Sequence, residues 1–162
     1  SVGASVSMIR PLGRPDLDAV LDLWEALMAN GTRADPRYVL APGARSEMRD
    51  YVRDTWFRTD PFAHSWGADE DGLVAFLSIH PTQPLPILDR PSIARIGDLW
   101  VNPSHRRRGL ARALVDHGVK AAREAGYPWV EVGTLARDER AVAFWKSQGF
   151  GGFRVVLRQD QA

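Results

Sequence analysis

The sequence contains no cysteine among its 162 residues. This absence excludes disulfide bonds, metal sites built from thiolates and a cysteine nucleophile. The chain also lacks any apolar run close to the roughly 20 residues that a membrane-spanning helix needs. We therefore expect a soluble, cytoplasmic protein with no membrane partner.

The sequence has little net charge. It carries 21 basic and 20 acidic residues, for a formal net charge of +1, and the two signs are interleaved along most of the chain. A protein that binds nucleic acid usually has a basic excess or a basic face. We therefore expect no nucleic-acid partner, and any site for an anion should be local.

Residues 1–7, SVGASVS, do not show the charged-then-apolar order of a secretory signal. They are small and mostly polar, which predicts a flexible leader. The remaining residues, 8–162, are enough for one domain with a substantial core.

The spacing of apolar residues predicts alternating strands and helices. Four prolines within residues 81–91 predict a loop there rather than a paired strand. Strands and helices alternate in the second half, which favours an α/β fold with at least one parallel pair. The predicted elements are a strand at 7–12, a helix from Pro15 to Asn30-Gly31, a helix at about 45–57, a hairpin over 63–81 that turns at 70–72, a strand at 94–101, a helix at 109–125, a strand at 128–135, a helix at 138–148 and a strand at 153–159.

The stretch NPSHRRRGLARAL, residues 102–114, places three arginines directly before a glycine. A predicted strand ends at Val101, and a predicted helix begins at Gly109. The first N–H groups of a helix lack intrahelical partners and lie at the positive end of the helix dipole. Gly109 lets an anion approach the backbone, and the arginines add charged donors. The stretch therefore predicts a phosphate site at a helix N-terminus.

Three interpretations of this stretch stay open on the residues alone. It matches neither a Walker A loop nor the dinucleotide fingerprint, so a phosphate ligand would be a pyrophosphate of another kind. A solvated basic loop before an ordinary helix is the second interpretation. A nucleic-acid patch is less favoured, because no aromatic platform or basic helix face accompanies the arginines.

Two motifs stand one helix and one strand apart in the second half of the chain. The first is Arg106-x-x-Gly109-x-Ala111, preceded by DLWVNP, and the second is AVAFWKSQGF at 141–150. Together they resemble the acetyl-coenzyme A (acetyl-CoA) loop and the later motif of the GNAT acetyltransferase superfamily. The resemblance covers 94–158 closely and 8–93 only in the order of elements.

The resemblance implies a mixed β-sheet flanked by about four helices. The sheet should splay open between the parallel strands ARIGDLWV and PWVEVGTL, with the pantetheine arm of acetyl-CoA in the gap and no metal. The implied cofactor contacts are the backbone of Leu99, Trp100 and Val101, the segment Arg106, Arg107, Arg108, Gly109, Leu110, Ala111 and Arg112, and the residues Asp138, Ala141 and Trp145.

The resemblance also implies direct transfer of an acetyl group, in a ternary complex, to a primary amine of a small molecule or a protein. The reaction needs a base for the ammonium and a donor for the carbonyl oxygen, for which a backbone N–H near Val101 is available. Glu131 is the preferred base and Asp98 the other candidate, although either carboxylate is as readily a structural ion-pair partner. His80 is a candidate proton relay, and we expect His64, like most lone histidines, to be structural.

Three positions depart from the family's pattern. Trp145 stands where the family often has a tyrosine that protonates the leaving thiolate, and an indole N–H is not a usable acid. No general acid is therefore assigned unless Tyr127, Tyr38 or Tyr51 is recruited, and the alternative is an acetyl-CoA-binding module with little or no turnover. Asp138 stands where asparagine is common. Only one strand is clear after residue 150, so the last strand is missing or a partner subunit of a homodimer completes the sheet.

The amine acceptor should bind between the first two helices, the hairpin and the proline-rich loop. The simpler interpretation of the six tryptophans is that they belong to the core. The ending GFRVVLRQ has a faint similarity to the aminoglycoside 6'-N-acetyltransferases. The candidate acceptor residues, aromatic and partly acidic, are Trp24, Trp56, Trp66, Asp69, Glu70 and Asp71.

Overall fold

The computed structural model describes residues 8–83, 85–89 and 92–161, so the predicted leader lies outside the described residues. One sheet has the strand order β1-β2-β3-β4-β5. Neighbouring strands are antiparallel except β4 and β5, which are parallel. The elements are β1 (Met8–Pro11), α1 (Leu17–Ala34), α2 (Ala44–Thr55), β2 (Ser65–Asp69), β3 (Leu73–Thr82), β4 (Ile93–Val101), α3 (Leu110–Glu124), β5 (Trp129–Val132) and α4 (Glu139–Ser147). The predicted mixed sheet with four α-helices is confirmed.

Helices cover both faces of the sheet, and each face has its own apolar core. On the first, the α1 face, Phe76 and Trp100 of the sheet pack against α1 and α2. On the second, the α3 face, Leu77 and Ile79 pack against α3 and α4. Burial of these side chains is the main force that holds the helices on the sheet.

Helix α3 approaches β3 closely at Gly118. A Cβ atom at this position would lie 2.6 Å from Leu77 Cδ2, a distance that side chains in well-packed cores do not tolerate. The glycine therefore sets how closely α3 lies on the sheet, and with it the position of the helix N-terminus.

We expect Gly118→Val to lower the free energy of unfolding by roughly 1 to 3 kcal/mol, because overpacking a rigid core forces side chains or backbone to move. Urea unfolding followed by circular dichroism measures the change. Lys120→Val, at an exposed position on the same helix, is the control for the cost of a β-branched residue. Equal stability of the two variants would contradict the close approach.

Helix α1 runs three residues past the glycine that was predicted to stop it, and ends at Ala34. Gly31 packs closely beneath Tyr38: a Cβ atom on Gly31 would lie only 2.8 Å from the Tyr38 ring. The glycine thus makes room for an aromatic ring from the following loop. The prediction that Asn30-Gly31 ends the helix is wrong because this tertiary contact overrides local helix propensity.

Two further boundaries differ from prediction. Pro81 and Thr82 belong to β3 and pair with Ala94 and Ile93, so the predicted loop begins two residues later. The last predicted strand, residues 153–159, is not a strand. Among the described residues β5 pairs only with β4, and the side chains of Val155, Val156 and Leu157 are 80 to 90% exposed. A strand forms only beside a hydrogen-bonded neighbouring strand, and no strand of the described ranges pairs with this segment; completion of the sheet by a partner subunit stays a prediction.

Candidate active site

The two parallel strands separate after a short stretch of pairing. Only Ile93 to Ile96 of β4 pair with β5, whereas β4 continues to Val101 and stays paired with β3 along its other edge. The backbone from Gly97 to Val101 therefore faces a gap along the edge that β5 leaves. The predicted splay of the sheet is confirmed, and this open edge includes the three residues predicted to contact the cofactor through their backbone.

The segment that follows the open edge is the arginine loop, residues 102–109. Arg107 and Gly109 both have left-handed backbone conformations, with φ of 63° and 76°, and Gly109 is the N-cap of α3. The first backbone hydrogen bond of the helix runs from Ala113 N–H to Gly109 O, at 3.0 Å. The N–H groups before Ala113 belong to the helix end, where such groups have no intrahelical acceptor, and such turns form anion-binding concavities.

The three arginines of this loop have different surroundings. The Arg106 guanidinium lies 4.6 Å from the centre of the Trp100 ring, and its Nε donates to Val101 O at 3.1 Å. Burial lowers the pKa of Arg106, and Arg140 lowers it further. Arg108 forms an ion pair with Glu70 at the β2–β3 turn, and Arg107 is exposed. The three arginines thus have separate surroundings, and their contact with pyrophosphate stays a prediction.

The predicted cofactor residues on α4 have defined structural partners. Asp138 Oδ1 accepts a hydrogen bond from Ala141 N–H at 3.1 Å and caps α4. Its other oxygen accepts from Asn30 Nδ2 at 3.1 Å, which ties α4 to α1. Trp145 is buried and packs edge-on against Phe150. These contacts explain the residues without a cofactor, so their predicted cofactor contacts stay untested.

Polar side chains on three strands form a row on the α1 face of the sheet. The register pairs Ser78 of β3 with Asp98 of β4, and it pairs His80 with Arg95. Arg95 in turn pairs with Glu131 of β5. Residues paired in register share a face of the sheet, so these five residues form what we call the polar row. The two predicted base candidates, Asp98 and Glu131, are both part of it.

A β-bulge at Gly97 shapes this row. Ser78 pairs with Asp98 and the next residue of β3 pairs with Ile96, so Gly97 is an extra residue in β4. A Cβ atom on Gly97 would lie 2.9 Å from Ser78 Oγ and 3.5 Å from His80 Cε1. The absence of a side chain at Gly97 leaves room for the Ser78 hydroxyl, which donates to Asp98 Oδ2 at 3.2 Å.

Asp98 and His80 have perturbed proton affinities. Burial raises the pKa of Asp98 to about 6, and the hydrogen bond from Ser78 opposes that rise. Burial also lowers the pKa of His80, and the positive charge of Arg95 contributes to the lowering. At neutral pH the row therefore contains a carboxylate close to its protonation range next to a neutral imidazole.

The other histidines have structural contacts. His64 is buried, its Nδ1 lies 3.3 Å from Thr55 O, and burial lowers its pKa. His117 lies on the α3 face, with its ring 5.7 Å from the Trp66 ring. The structural role expected for a lone histidine is confirmed for His64.

Tyr38, in the loop between α1 and α2, lines the same cleft as Arg95 and Glu131. Burial and the charge of Asp98 raise the pKa of Tyr38, so its hydroxyl stays protonated. Of the other tyrosines named for the role of acid, Tyr127 packs against Phe62 in the α3-face core. Tyr51 is half exposed on α2.

The cleft has a volume of about 1480 Å³ and runs along β5. An ion-pair cluster forms one of its walls: Asp35 binds Arg37 at 2.7 Å and lies 3.8 Å from Arg137, while Arg37 also binds Asp160 at 2.9 Å. The cluster links the loop after α1, the segment before α4 and the C-terminal segment.

The acceptor surface predicted from sequence does not form. Trp24 and Trp56 are buried in the α1-face core, as the simpler interpretation expects. Trp66 packs on the α3 face, and Asp69 pairs with Arg10. The prediction is wrong because a sequence does not reveal which tryptophans the helices cover. Ser78 donates a hydrogen bond to Asp98, Gly97 is its chain neighbour, and Arg95 shares its face of β4, none of which the residue pattern alone indicated. The polar Ser78 within the apolar run VAFLSI was the available signal.

Within the described ranges, no group of three or more histidine, aspartate or glutamate residues is placed to hold a metal ion. No helix in that part of the chain has the length and apolarity required to cross a bilayer.

Comparison with known proteins gives one family match and several relatives. The profile of the acetyltransferase (GNAT) family matches residues 23–150. Mycothiol acetyltransferase from Nocardiopsis dassonvillei is 31% identical over 101 residues, which cover 60% of this chain and 29% of that protein. N-acetyltransferase family 8 member 3 from Rattus norvegicus is 28% identical over 106 residues, which cover 65% of this chain and 45% of that protein. The chain thus spans less than half the length of these curated relatives.

Solved structures share the fold at low sequence identity. The tetramutant of the BH1408 protein from Bacillus halodurans superposes with a TM-score of 0.77 at 17% identity, covering 95% of this chain and 99% of that one. The aminoglycoside N-acetyltransferase AAC(6')-Iy in complex with CoA gives a TM-score of 0.73 at 17% identity, covering 100% and 99%.

Proposed function

Since the chain belongs to the acetyltransferase (GNAT) family, we propose that it is an acyltransferase that transfers the acetyl group of acetyl-CoA directly to a primary amine. One observation carries the proposal, which is the order of groups along β4 and the segment after it. Asp98 stands at the start of the gap, the open backbone edge of Leu99 to Val101 follows, and the arginine loop comes last. This order provides, in one line, a base, a binding edge and a phosphate site.

Acetyl-CoA fits this line. Its pyrophosphate would bind the N–H groups at the start of α3, where Gly109 has open space above its Cα atom. Its pantetheine arm would bond the open edge of β4 as an added strand does. A structural neighbour of the same fold binds CoA, which supports this placement.

Asp98 is the base of the proposed reaction, in preference to Glu131. It is half-buried at the start of the gap, and its pKa of about 6 suits a group that accepts a proton near neutral pH. Ser78 fixes the orientation of its carboxyl group. Glu131 lies on β5 beside Arg95, farther from the open edge where the thioester would lie.

The proposed chemistry balances with these groups and solvent water. The substrate ammonium gives one proton to Asp98, and the nitrogen lone pair that this exposes forms a bond to the thioester carbonyl carbon. A backbone N–H on the open edge donates to the carbonyl oxygen as charge develops there. The C–S bond then breaks, the thiolate leaves with the electron pair, and the nitrogen loses its second proton to water, which gives a neutral amide. Because a thiol has a pKa of about 8.5, water can supply the proton that the thiolate takes up.

A second candidate function is binding of acetyl-CoA with little or no turnover. The observation that favours it is Trp145, which is buried against aromatic neighbours and offers no acid to the leaving thiolate. Both functions require the same cofactor site, so only turnover separates them.

Calorimetric titration with acetyl-CoA, followed in the same samples by detection of free CoA thiol with a panel of amines, tests the proposal. We expect micromolar binding and thiol release with at least one class of amine. Binding without release on any amine would favour the second function. The absence of binding would overturn both and leave the arginine loop as a solvated turn.

A further inference from the structure

Arg95 lies in the polar row on the side of Asp98 away from the open edge. The side chain is half-buried and lines the cleft along β5. One of its terminal nitrogens lies 3.0 Å from where a Cβ atom on Gly133 would be, so the guanidinium extends across the point where β4 and β5 begin to separate.

The charge of Arg95 has no carboxylate partner of its own in the described part of the chain. No ion pair or hydrogen bond of this side chain occurs there, although Glu131 is its register partner on β5. Two other arginines of the cleft, Arg37 and Arg137, differ in this respect because both have Asp35 close by. A half-buried guanidinium without an ion-pair partner keeps donors free to bind an anion.

The other groups around Arg95 are compatible with an anion. The adjacent His80 is neutral at neutral pH, because burial and Arg95 itself lower its pKa. Gly133 has no side chain to cover the guanidinium. A guanidinium presents paired N–H groups that match the two oxygens of a carboxylate. A single negative charge suits the site better than a phosphate dianion, since Glu131 stands on the neighbouring strand.

We propose that Arg95 binds a carboxylate of the acceptor, so that the substrate class of this enzyme is amines that also carry a carboxylate group. The inference rests on the proposed function. The acceptor enters from the Arg95 side, its amine reaches Asp98, and the thioester approaches Asp98 from the opposite side along the open edge. A strand advances about 3.3 Å per residue, so the positions of Arg95 and Asp98 on β4 are roughly 7 to 10 Å apart. The amine and the carboxylate of the acceptor are separated by this distance, or by less where the Arg95 side chain extends towards Asp98.

The test compares acceptors that differ only in charge. Glycine, β-alanine, γ-aminobutyrate and δ-aminovalerate are each compared with their uncharged amides, with release of free CoA thiol as the measurement. We expect kcat/KM for the best carboxylate to exceed that of its amide by roughly tenfold or more, as a charge-assisted hydrogen bond provides. We also expect a dependence on chain length, because both ends of the acceptor must reach their partners.

Arg95→Gln should remove this preference, because it should lower kcat/KM for the carboxylate by roughly tenfold to a hundredfold and lower kcat/KM for the amide much less, with acetyl-CoA affinity retained. Arg33→Gln, at an exposed position on α1, is the matched control and should change neither the preference nor the rate.

Equal use of acids and amides by the unaltered protein, or a preference that survives Arg95→Gln, would overturn the inference and leave the acetyltransferase proposal standing. No thiol release with any acceptor of the wider amine panel, despite acetyl-CoA binding, would instead be the failure of the proposed function. A phosphonate analogue of the best acceptor shows whether the site takes a dianion in place of the carboxylate.

Discussion

Asp98→Asn is expected to lower turnover by roughly a hundredfold or more while acetyl-CoA binding is retained. A positioned base contributes on this order to proton transfer, and an amide cannot accept the proton. The variant keeps the shape of the side chain and an oxygen that accepts from the Ser78 hydroxyl. Initial rates of thiol release with the best acceptor, together with calorimetric titration of acetyl-CoA, measure the two quantities separately.

The pH dependence of kcat/KM tests the role of Asp98 as the base in a second way. In the unaltered protein, kcat/KM should rise with pH through about 6, where Asp98 loses its proton, and then level off. Ser78→Ala removes a hydrogen bond that favours the carboxylate, so the rise should move to higher pH. Glu131→Gln is the comparison at the other base candidate. A rise that disappears with Glu131→Gln and persists in Asp98→Asn would reverse the assignment.

Stability should change in the opposite sense to activity. The pKa of Asp98 lies at about 6 in the folded chain and at 3.8 for a free side chain, so the folded state binds more protons between these values. The contribution of Asp98 to stability therefore falls as pH rises from about 4 to about 6, and the penalty is complete above that range. Asp98→Asn removes a penalty of at most about 3 kcal/mol at pH near 8 and nothing at pH near 3. Urea unfolding at the two pH values measures the difference.

Gly109→Glu is expected to reduce acetyl-CoA affinity by roughly a hundredfold or more. The substitution places a negative charge at the helix N-terminus that would bind the pyrophosphate, and charge at this position acts through the helix dipole and the free N–H groups. The left-handed conformation at this position, φ of 76°, adds roughly 1 to 2 kcal/mol of backbone strain for any residue with a side chain.

The structure offers a control for that strain. Gly126 ends α3 with φ of 94°, and like Gly109 it has open space where a Cβ atom would lie. Gly126→Glu should therefore cost similar stability with no loss of acetyl-CoA affinity. Calorimetric titration and urea unfolding of both variants separate charge from strain. Equal losses of affinity would show that the arginine loop does not hold the phosphates.

Local sequence made the elements from β4 to α4 predictable. Neighbouring residues encode three features here: the end of a strand at Val101, a turn of arginines, and a glycine before an amphipathic helix. The structure contains all three. The order of strands and helices followed from the spacing of apolar residues in the same way. The position of the gap was implied by family resemblance and depends on where β4 and β5 stop pairing, which no single segment encodes.

Features that depend on distant partners were not predictable. From the sequence alone, Gly31 predicts the end of a helix, and only the structure shows that it makes room for the Tyr38 ring. The C-terminal segment reads as a strand, although no described strand pairs with it. The sequence around Trp24 does not distinguish a tryptophan in the core from a tryptophan in a binding surface. The bulge at Gly97 requires the register of β3, and without that register Arg95 and Asp98 fall on opposite faces of β4.

The bulge at Gly97 affects how β4 can vary in evolution. An unbroken β4 would alternate in a single phase, and the base position would then point into the apolar layer beneath α3. One inserted glycine resets the phase between Ile96 and Asp98. The half of β4 that would face the proposed acceptor and the half that would lead to the phosphates of acetyl-CoA can therefore vary separately. Deletion of Gly97 would keep the facing of Asp98 and shorten the path between the two half-sites by one residue, so the bulge is a spacer as well as a bend.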